Sequence, residues 1–85
     1  MHAVKKMFER QISHEDVIQV LLNGEAIEEY PNDTPYPSKL MLGWINKRPI
    51  HVVVAYNSDK DETIVITTYE PNKNQWDSRF SRRIK

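Results

Sequence analysis

The chain has 85 residues, a formal net charge of zero and no cysteine. This length predicts one domain with a thin single core, and the lack of cysteine excludes disulfides and thiolate metal sites. The zero net charge argues against a protein that binds nucleic acid purely by electrostatic attraction. No apolar run approaches the roughly 18 residues that a membrane helix needs, and we therefore expect a cytoplasmic protein.

Two helices are predicted at the N-terminus. Residues 3–8 carry an apolar stripe with helical spacing, formed by Ala3, Val4, Met7 and Phe8. Ser13 begins the second helix, because the spacing from Ser13 to Asp16 is that of a capping box. Gly24 ends it, and we expect this glycine to adopt the left-handed conformation common after helices. The residues expected on its buried face are Val17, Ile18, Val20, Leu21 and Leu22.

Four β-forming runs follow, separated by proline-rich and polar turns. These predicted strands are Glu25–Tyr30, Lys39–Ile45, Ile50–Tyr56 and Thr63–Tyr69. Short connections make the last three an antiparallel meander, and the helices are the elements available to cover one face. The sequence therefore predicts a single α+β domain spanning residues 1–85. In it, two N-terminal helices pack on one face of a four-stranded, mainly antiparallel sheet.

The strand register decides which side chains meet. A four-residue turn from Asn46 to Pro49 places His51 opposite Trp44, and the turn after Tyr56 places His51 opposite Thr68. A slip of one residue would instead bring His51 and Tyr69 side by side on one face. The sequence leaves both registers open.

Several side chains near this end of the sheet can carry chemistry. His51 is the best candidate for a general acid or base, because it titrates near neutrality; the alternative is a half-buried histidine satisfied by a hydroxyl or backbone partner. Tyr69 can donate a proton to a phosphate or leaving oxygen, or simply cap the core. Three arginines suit phosphate binding through forked hydrogen bonds, unless they pair with acids such as Glu70: Arg48, Arg82 and Arg83.

The C-terminal segment adds an indole and positive charge. Trp76 either stacks a nucleobase or anchors the segment to the sheet, and we expect the anchor. No metal site is expected, because His14, Glu15 and Asp16 are helix neighbours that cannot converge on one ion. No cofactor is expected either, since two glycines do not make a phosphate-binding loop.

The chain resembles the DUF4258 family of small prokaryotic proteins along nearly its whole length. The residues that carry the resemblance are His2-Ala3, Glu9-Arg10-Gln-Ile-Ser13, Asp16-Val17, Asn23-Gly24-Glu25, Ile27-Glu-Glu-Tyr-Pro31, Leu42-Gly43, Arg48-Pro-Ile-His-Val-Val53, Ile66-Thr-Thr-Tyr-Glu-Pro71 and Trp76. The family is similar in layout to the RelE/ParE-like and BrnT-like toxins of toxin–antitoxin systems. The resemblance thus implies a metal-independent endoribonuclease whose partners are RNA and a small zinc-finger antitoxin-like protein. Whether the protein also forms a homodimer is left open.

Two hypotheses follow. In the first, the protein is a toxin-like ribonuclease, with His51 and Tyr69 as catalytic residues and Arg48, Arg82 and Arg83 holding RNA phosphate. In the second, it is a non-enzymatic protein-interaction domain with an acidic first strand and a basic C-terminal segment. The hypotheses differ in whether the arginines and His51 converge on an open concavity or are used in internal salt bridges.

Overall fold

The computed structural model describes residues 11–84. Helix α1 (His14–Asn23) precedes four strands: β1 (Glu25–Tyr30), β2 (Ser38–Ile45), β3 (Arg48–Asn57) and β4 (Glu62–Tyr69). The strands form one sheet in the order β1-β2-β3-β4, with every neighbouring pair antiparallel. The α+β class and the four-stranded antiparallel sheet are therefore confirmed. The first predicted helix, at residues 3–8, lies outside the described residues.

Helix α1 begins with the predicted capping box. The Asp16 backbone N–H donates to Ser13 Oγ at 3.0 Å, and the Ser13 N–H donates to Asp16 Oδ2 at 3.1 Å. These two bonds satisfy donors that the first helical turn leaves without an intrahelical partner. The sequence pattern was sufficient to locate this end of the helix.

The buried face of α1 is narrower than predicted. Val17 and Val20 are buried, but Ile18 is 51% exposed and Leu22 is 73% exposed, so the expectation that both are buried is wrong. One helix on a sheet covers a stripe of positions spaced three and four apart. Ile18 and Leu22 each lie one position beyond that stripe.

Gly24 is needed for space and not for a left-handed turn. Its φ is −80° and its ψ is −175°, so the predicted left-handed conformation is wrong. A Cβ atom at this position would lie 2.5 Å from the carbonyl oxygens of both Val20 and Leu42. Glycine therefore allows the end of α1 to approach β2.

The hairpin between β2 and β3 is tighter than predicted. Asn46 and Lys47 alone form the turn, with φ of 52° and 69°. Positive φ at both central residues matches the twist of an antiparallel hairpin. Pro49 is thus part of β3 opposite Trp44, and His51 lies opposite Leu42. The predicted pairing of His51 with Trp44 is wrong because the prediction placed both Arg48 and Pro49 in the turn.

A bulge in β4 decides the second register. Tyr56 pairs with Thr63 as predicted, but the pairing shifts between Val53 and Val54 and leaves Ile66 as an extra residue. His51 consequently lies opposite Tyr69, as in the slipped register that the sequence left open, and not opposite Thr68. Directly opposed residues project from the same face of a sheet, so His51 and Tyr69 are neighbours.

The two faces of the sheet are covered differently. On one, here called the helix face, α1 packs over an apolar cluster that includes Met41, Ile50 and Val52. On the opposite face, here called the loop face, residues 75–84 cover His51; this segment is called the C-terminal loop. Among the described residues, no helix has the length and hydropathy to cross a bilayer.

Candidate functional site

The C-terminal loop is held in shape by its own backbone. The Asp77 N–H donates to the Arg82 carbonyl at 2.9 Å, and the Ile84 N–H donates to the Gln75 carbonyl at 3.0 Å. These bonds flank a bridge between Trp76 and Arg83, which therefore lie side by side. The sequence predicted a basic tail here, and the structure makes it an ordered turn.

The Asp77 carboxylate organises the turn. Its Oδ1 accepts the backbone N–H groups of Arg79 at 3.2 Å and Ser81 at 3.1 Å. Desolvation acts to raise the pKa of Asp77, but the N–H donations, with those of Ser81 and Arg82 largest, lower that pKa below its ordinary value. The ionised carboxylate is thus the form that the loop stabilises.

Trp76 anchors the loop on the sheet. It is 3% exposed, and its ring centroid lies 4.4 Å from that of His51 at an interplanar angle of 87°. Phe80 makes a second edge contact, with Trp44 at 5.9 Å. The predicted anchoring role of Trp76 is confirmed, and base stacking on a buried indole is excluded in this conformation.

His51 lies directly beneath Trp76 with 0% of its surface exposed. Its Nε2 is 2.8 Å from the carbonyl oxygen of Phe80. Because a carbonyl can only accept, Nε2 carries the proton and donates, which leaves Nδ1 as the acceptor in the neutral ring. Nδ1 lies 3.4 Å from the Tyr69 hydroxyl.

Burial also determines the charge of His51. Desolvation lowers the pKa of His51 and outweighs the opposite effect of the Phe80 carbonyl, and the positive charge of Arg83 lowers it further. The imidazole is therefore neutral at physiological pH. Its neighbour Tyr69 is half-buried.

Tyr69 lies at a cleft of about 420 Å³, here called the Tyr69 cleft. The cleft is bounded by the end of β4, the start of β3 and the C-terminal loop. Its lining residues are Arg48, Tyr69, Glu70, Asn72, Gln75, Trp76 and Arg83. The side chains of Glu70, Asn72 and Gln75 are exposed, so the cleft opens to solvent.

Two guanidinium groups line the cleft in different settings. Arg48 Nε is 2.5 Å from Glu70 Oε1, and Arg48 Nη1 donates to the Gln11 carbonyl at 3.0 Å. Arg83 lies over the Trp76 ring, 4.6 Å from its centroid, and its Nε is 3.3 Å from Glu28 Oε2. A hydrogen bond with Tyr30, reinforced by the charge of Glu28, raises the pKa of Arg83.

The structure thus brings together most of the predicted site residues. Arg48, Tyr69 and Arg83 line one cleft, and His51 lies behind Tyr69. Arg82 is exposed and does not line the cleft. Among residues 11–84, no group of three or more His, Asp or Glu side chains is placed to hold a metal ion.

Four residues that contribute to the site were not predicted from the sequence. Glu28 pairs with Arg83 from β1, the far edge of the sheet, and Tyr30 donates to Glu28. No local pattern indicates a contact across that separation. Asn72 and Gln75 line the cleft. The cluster of amides after Pro71 was a usable signal for these two, because amide side chains at a strand end commonly form turns and polar sites.

Comparison with known proteins identifies one family. A family model described as a domain of unknown function (DUF4258) matches residues 1–70. No curated protein and no solved structure matches the chain. The matched segment includes Arg48, His51 and Tyr69, whereas Trp76 and Arg83 lie beyond it.

Proposed function

The chain belongs to the DUF4258 family, and we propose that it is the toxin of a toxin–antitoxin pair, a metal-independent endoribonuclease acting at the Tyr69 cleft. The observation that carries the proposal is the convergence of Tyr69, Arg48 and Arg83 on one open cleft, with a neutral histidine behind the tyrosine. The proposal includes a fold similar in layout to that of RelE/ParE-like toxins.

Tyr69 and His51 form a proton path. Phe80 fixes the His51 tautomer with Nδ1 unprotonated, so the Tyr69 hydroxyl directs its proton toward Nδ1. Tyr69 lines the cleft, where its phenolic oxygen can accept the proton of an RNA 2′-hydroxyl. The present separation of 3.4 Å is long, as catalytic hydrogen bonds often are before substrate binds.

The proposed reaction is an internal displacement at phosphorus. The 2′-hydroxyl proton passes to Tyr69 as the Tyr69 proton passes to His51 Nδ1. The 2′-oxygen bonds to phosphorus, the bond from phosphorus to the 5′-oxygen breaks, and the leaving oxygen takes a proton from water in the cleft. The hydroxide so formed takes a proton from Tyr69 as Tyr69 regains its proton from His51 Nδ1, which returns both side chains to their starting states. The products are a 2′,3′-cyclic phosphate and a 5′-hydroxyl.

Arg48 is the cation best placed to stabilise the charge that develops on phosphorus. Its partner Glu70 is an exposed carboxylate, which a phosphate can replace because both anions accept forked hydrogen bonds from a guanidinium. Exposed ion pairs contribute at most about 1 kcal/mol, so the exchange is energetically small. Arg48 thus acts in substrate binding and in electrostatic stabilisation.

Removing the Tyr69 hydroxyl tests the proposal. We expect Tyr69→Phe to retain the ring contact with His51 and to slow RNA cleavage by about 10²–10⁴-fold, the usual contribution of a general acid or base. Cleavage is measured in EDTA with a 5′-labelled RNA, and product ends are identified by phosphatase sensitivity. Tyr56→Phe is the matched control, because Tyr56 is bonded to Asp61 at the other end of β3. Equal cleavage by Tyr69→Phe and the wild type would overturn the mechanism.

The partner is tested separately. We expect expression of the wild type alone to slow growth and Tyr69→Phe to relieve that effect. The wild type and the Tyr69→Phe variant should each co-purify with a small zinc-finger antitoxin-like protein encoded next to the gene. Toxicity that persists in Tyr69→Phe would contradict a role for the cleft.

A specific observation favours the alternative of a protein-interaction domain. Ile18 and Leu22 are exposed four residues apart on α1, and two predicted phosphate ligands pair with acids of the same chain, Arg48 with Glu70 and Arg83 with Glu28. The absence of RNA cleavage, together with partner binding that Leu22→Glu abolishes, would favour this alternative over the ribonuclease.

A further inference from the structure

We infer that Arg83 is the stacking platform for one unpaired base of a single-stranded RNA, and does not act as a phosphate ligand. The inference rests on the proposed function and assigns the base-binding side of the Tyr69 cleft. It replaces the phosphate role that sequence alone suggested for Arg83.

The charge of Arg83 is already matched within the chain. Its Nε lies 3.3 Å from Glu28 Oε2, and the same carboxylate accepts a hydrogen bond from the Tyr30 hydroxyl. A phosphate entering here would meet a carboxylate beside the cation. Arg48 differs, because its carboxylate partner Glu70 is itself exposed at the cleft and replaceable.

The position of Arg83 is set by the same contacts. Its Cζ lies over the Trp76 ring, 4.6 Å from the centroid, and its Nε pairs with Glu28. The side chain nevertheless remains 51% exposed and lines the cleft. A flat, held and half-exposed guanidinium is a surface on which proteins stack unpaired bases, whereas a base inside a duplex does not present its face.

The surroundings of Arg83 suit a base edge. Asn72 and Gln75 contribute carboxamides to the same cleft, and Asn72 Oδ1 is oriented by the Asn74 N–H at 2.8 Å. Carboxamides carry the donors and acceptors that read base edges. With Arg48 and Tyr69 on the same cleft, its volume of about 420 Å³ falls within the usual range for small-ligand sites.

Base dependence of binding tests the inference. A fluorescein-labelled single-stranded RNA with 2′-O-methyl sugars, which cannot be cleaved, is compared by anisotropy with the same oligomer carrying abasic sites. We expect the wild type to prefer the oligomer with bases by about tenfold or more, the usual effect of one stacking contact. Arg83→Lys retains the charge but not the plane, and should bring this ratio close to one.

Two further variants separate stacking from folding and from charge. Arg82→Lys is the matched control, because Arg82 is exposed outside the cleft, and it should keep the base preference. Glu28→Gln leaves Arg83 on Trp76 but unpairs its charge, so it should keep the base preference while binding the abasic oligomer more tightly. A wild type that binds and cleaves RNA with no base preference overturns the inference alone. If neither oligomer binds and no RNA is cleaved, the proposed function falls with it.

Discussion

The two faces of the sheet are stabilised by different physics. On the helix face, α1 and the strands bury aliphatic side chains such as Val20, Ile50 and Val52, whose burial is favourable in any orientation. On the loop face, His51, Tyr69 and Arg83 are positioned by hydrogen bonds, ring contacts and an ion pair that depend on angle and register. The side chains that could take part in a reaction therefore lie on the face where the contacts are directional.

This difference explains why the candidate site is on the loop face. An aliphatic surface stabilises the fold but offers no proton donor, acceptor or charge. The loop face holds a neutral imidazole, a phenol and the Arg83 guanidinium, and Arg48 lines the same cleft from the start of β3. Each buried polar group there requires a hydrogen-bond partner. Within residues 11–84, every buried side-chain nitrogen and oxygen has a hydrogen-bond partner.

The largest expected effect is loss of the anchor on the loop face. Trp76→Ala removes a buried indole and should lower the free energy of unfolding by about 3–5 kcal/mol, measured by urea denaturation. Trp44→Ala is the matched control, because Trp44 is half-exposed and should cost much less. Equal losses for the two tryptophans would show that the C-terminal loop does not stabilise the sheet.

A cavity on the helix face should cost nearly as much but act elsewhere. Ile50 is fully buried under α1, and Ile50→Ala should lower the free energy of unfolding by about 2–5 kcal/mol. Leu22→Ala, at an exposed position of the same helix, should change it by less than about 0.5 kcal/mol. Hydrogen exchange should then show the C-terminal loop unaffected by Ile50→Ala. Selective loss of protection in the loop would mean that the two faces are not independent.

The same contrast sets how much the sequence predicted. The Ser13 cap and the four strands follow from local spacing and are confirmed, although β3 begins at Arg48, two residues before its predicted start. The exposure of Ile18 and Leu22 was missed because local hydrophobicity does not show how wide a face the sheet can cover. Local patterns describe elements well and describe the fit between elements poorly.

The arrangement of the candidate site depends on the register between β3 and β4, and one extra residue in β4 sets that register. The extra residue Ile66 places His51 beside Tyr69, and no propensity rule locates such a bulge. The contacts of His51 with Phe80 and of Arg83 with Glu28 join segments 29 and 55 residues apart in the sequence. Residue types at the site could be predicted, whereas their partners required the folded chain.

The smallest expected effect is the pH dependence of stability that His51 gives to the loop face. The folded-state pKa of His51 lies below its ordinary value of 6.5, chiefly because burial disfavours the imidazolium. Between these two pKa values the unfolded chain binds more protons than the folded one, so stability falls as the pH is lowered through 6.5 toward the folded pKa. Above 6.5 both states are neutral and this contribution does not change with pH.

The slope attributable to His51 is at most about 1.4 kcal/mol per pH unit, the value for one proton. Urea denaturation from pH 7.5 down to pH 5 measures it, and His51→Gln should remove this part of the slope while lowering stability at neutral pH. His14→Gln, at an exposed position of α1, is the control for the substitution itself. An unchanged slope in His51→Gln would mean that the histidine is not held neutral by the loop, and the proposed proton path from Tyr69 would lose its acceptor.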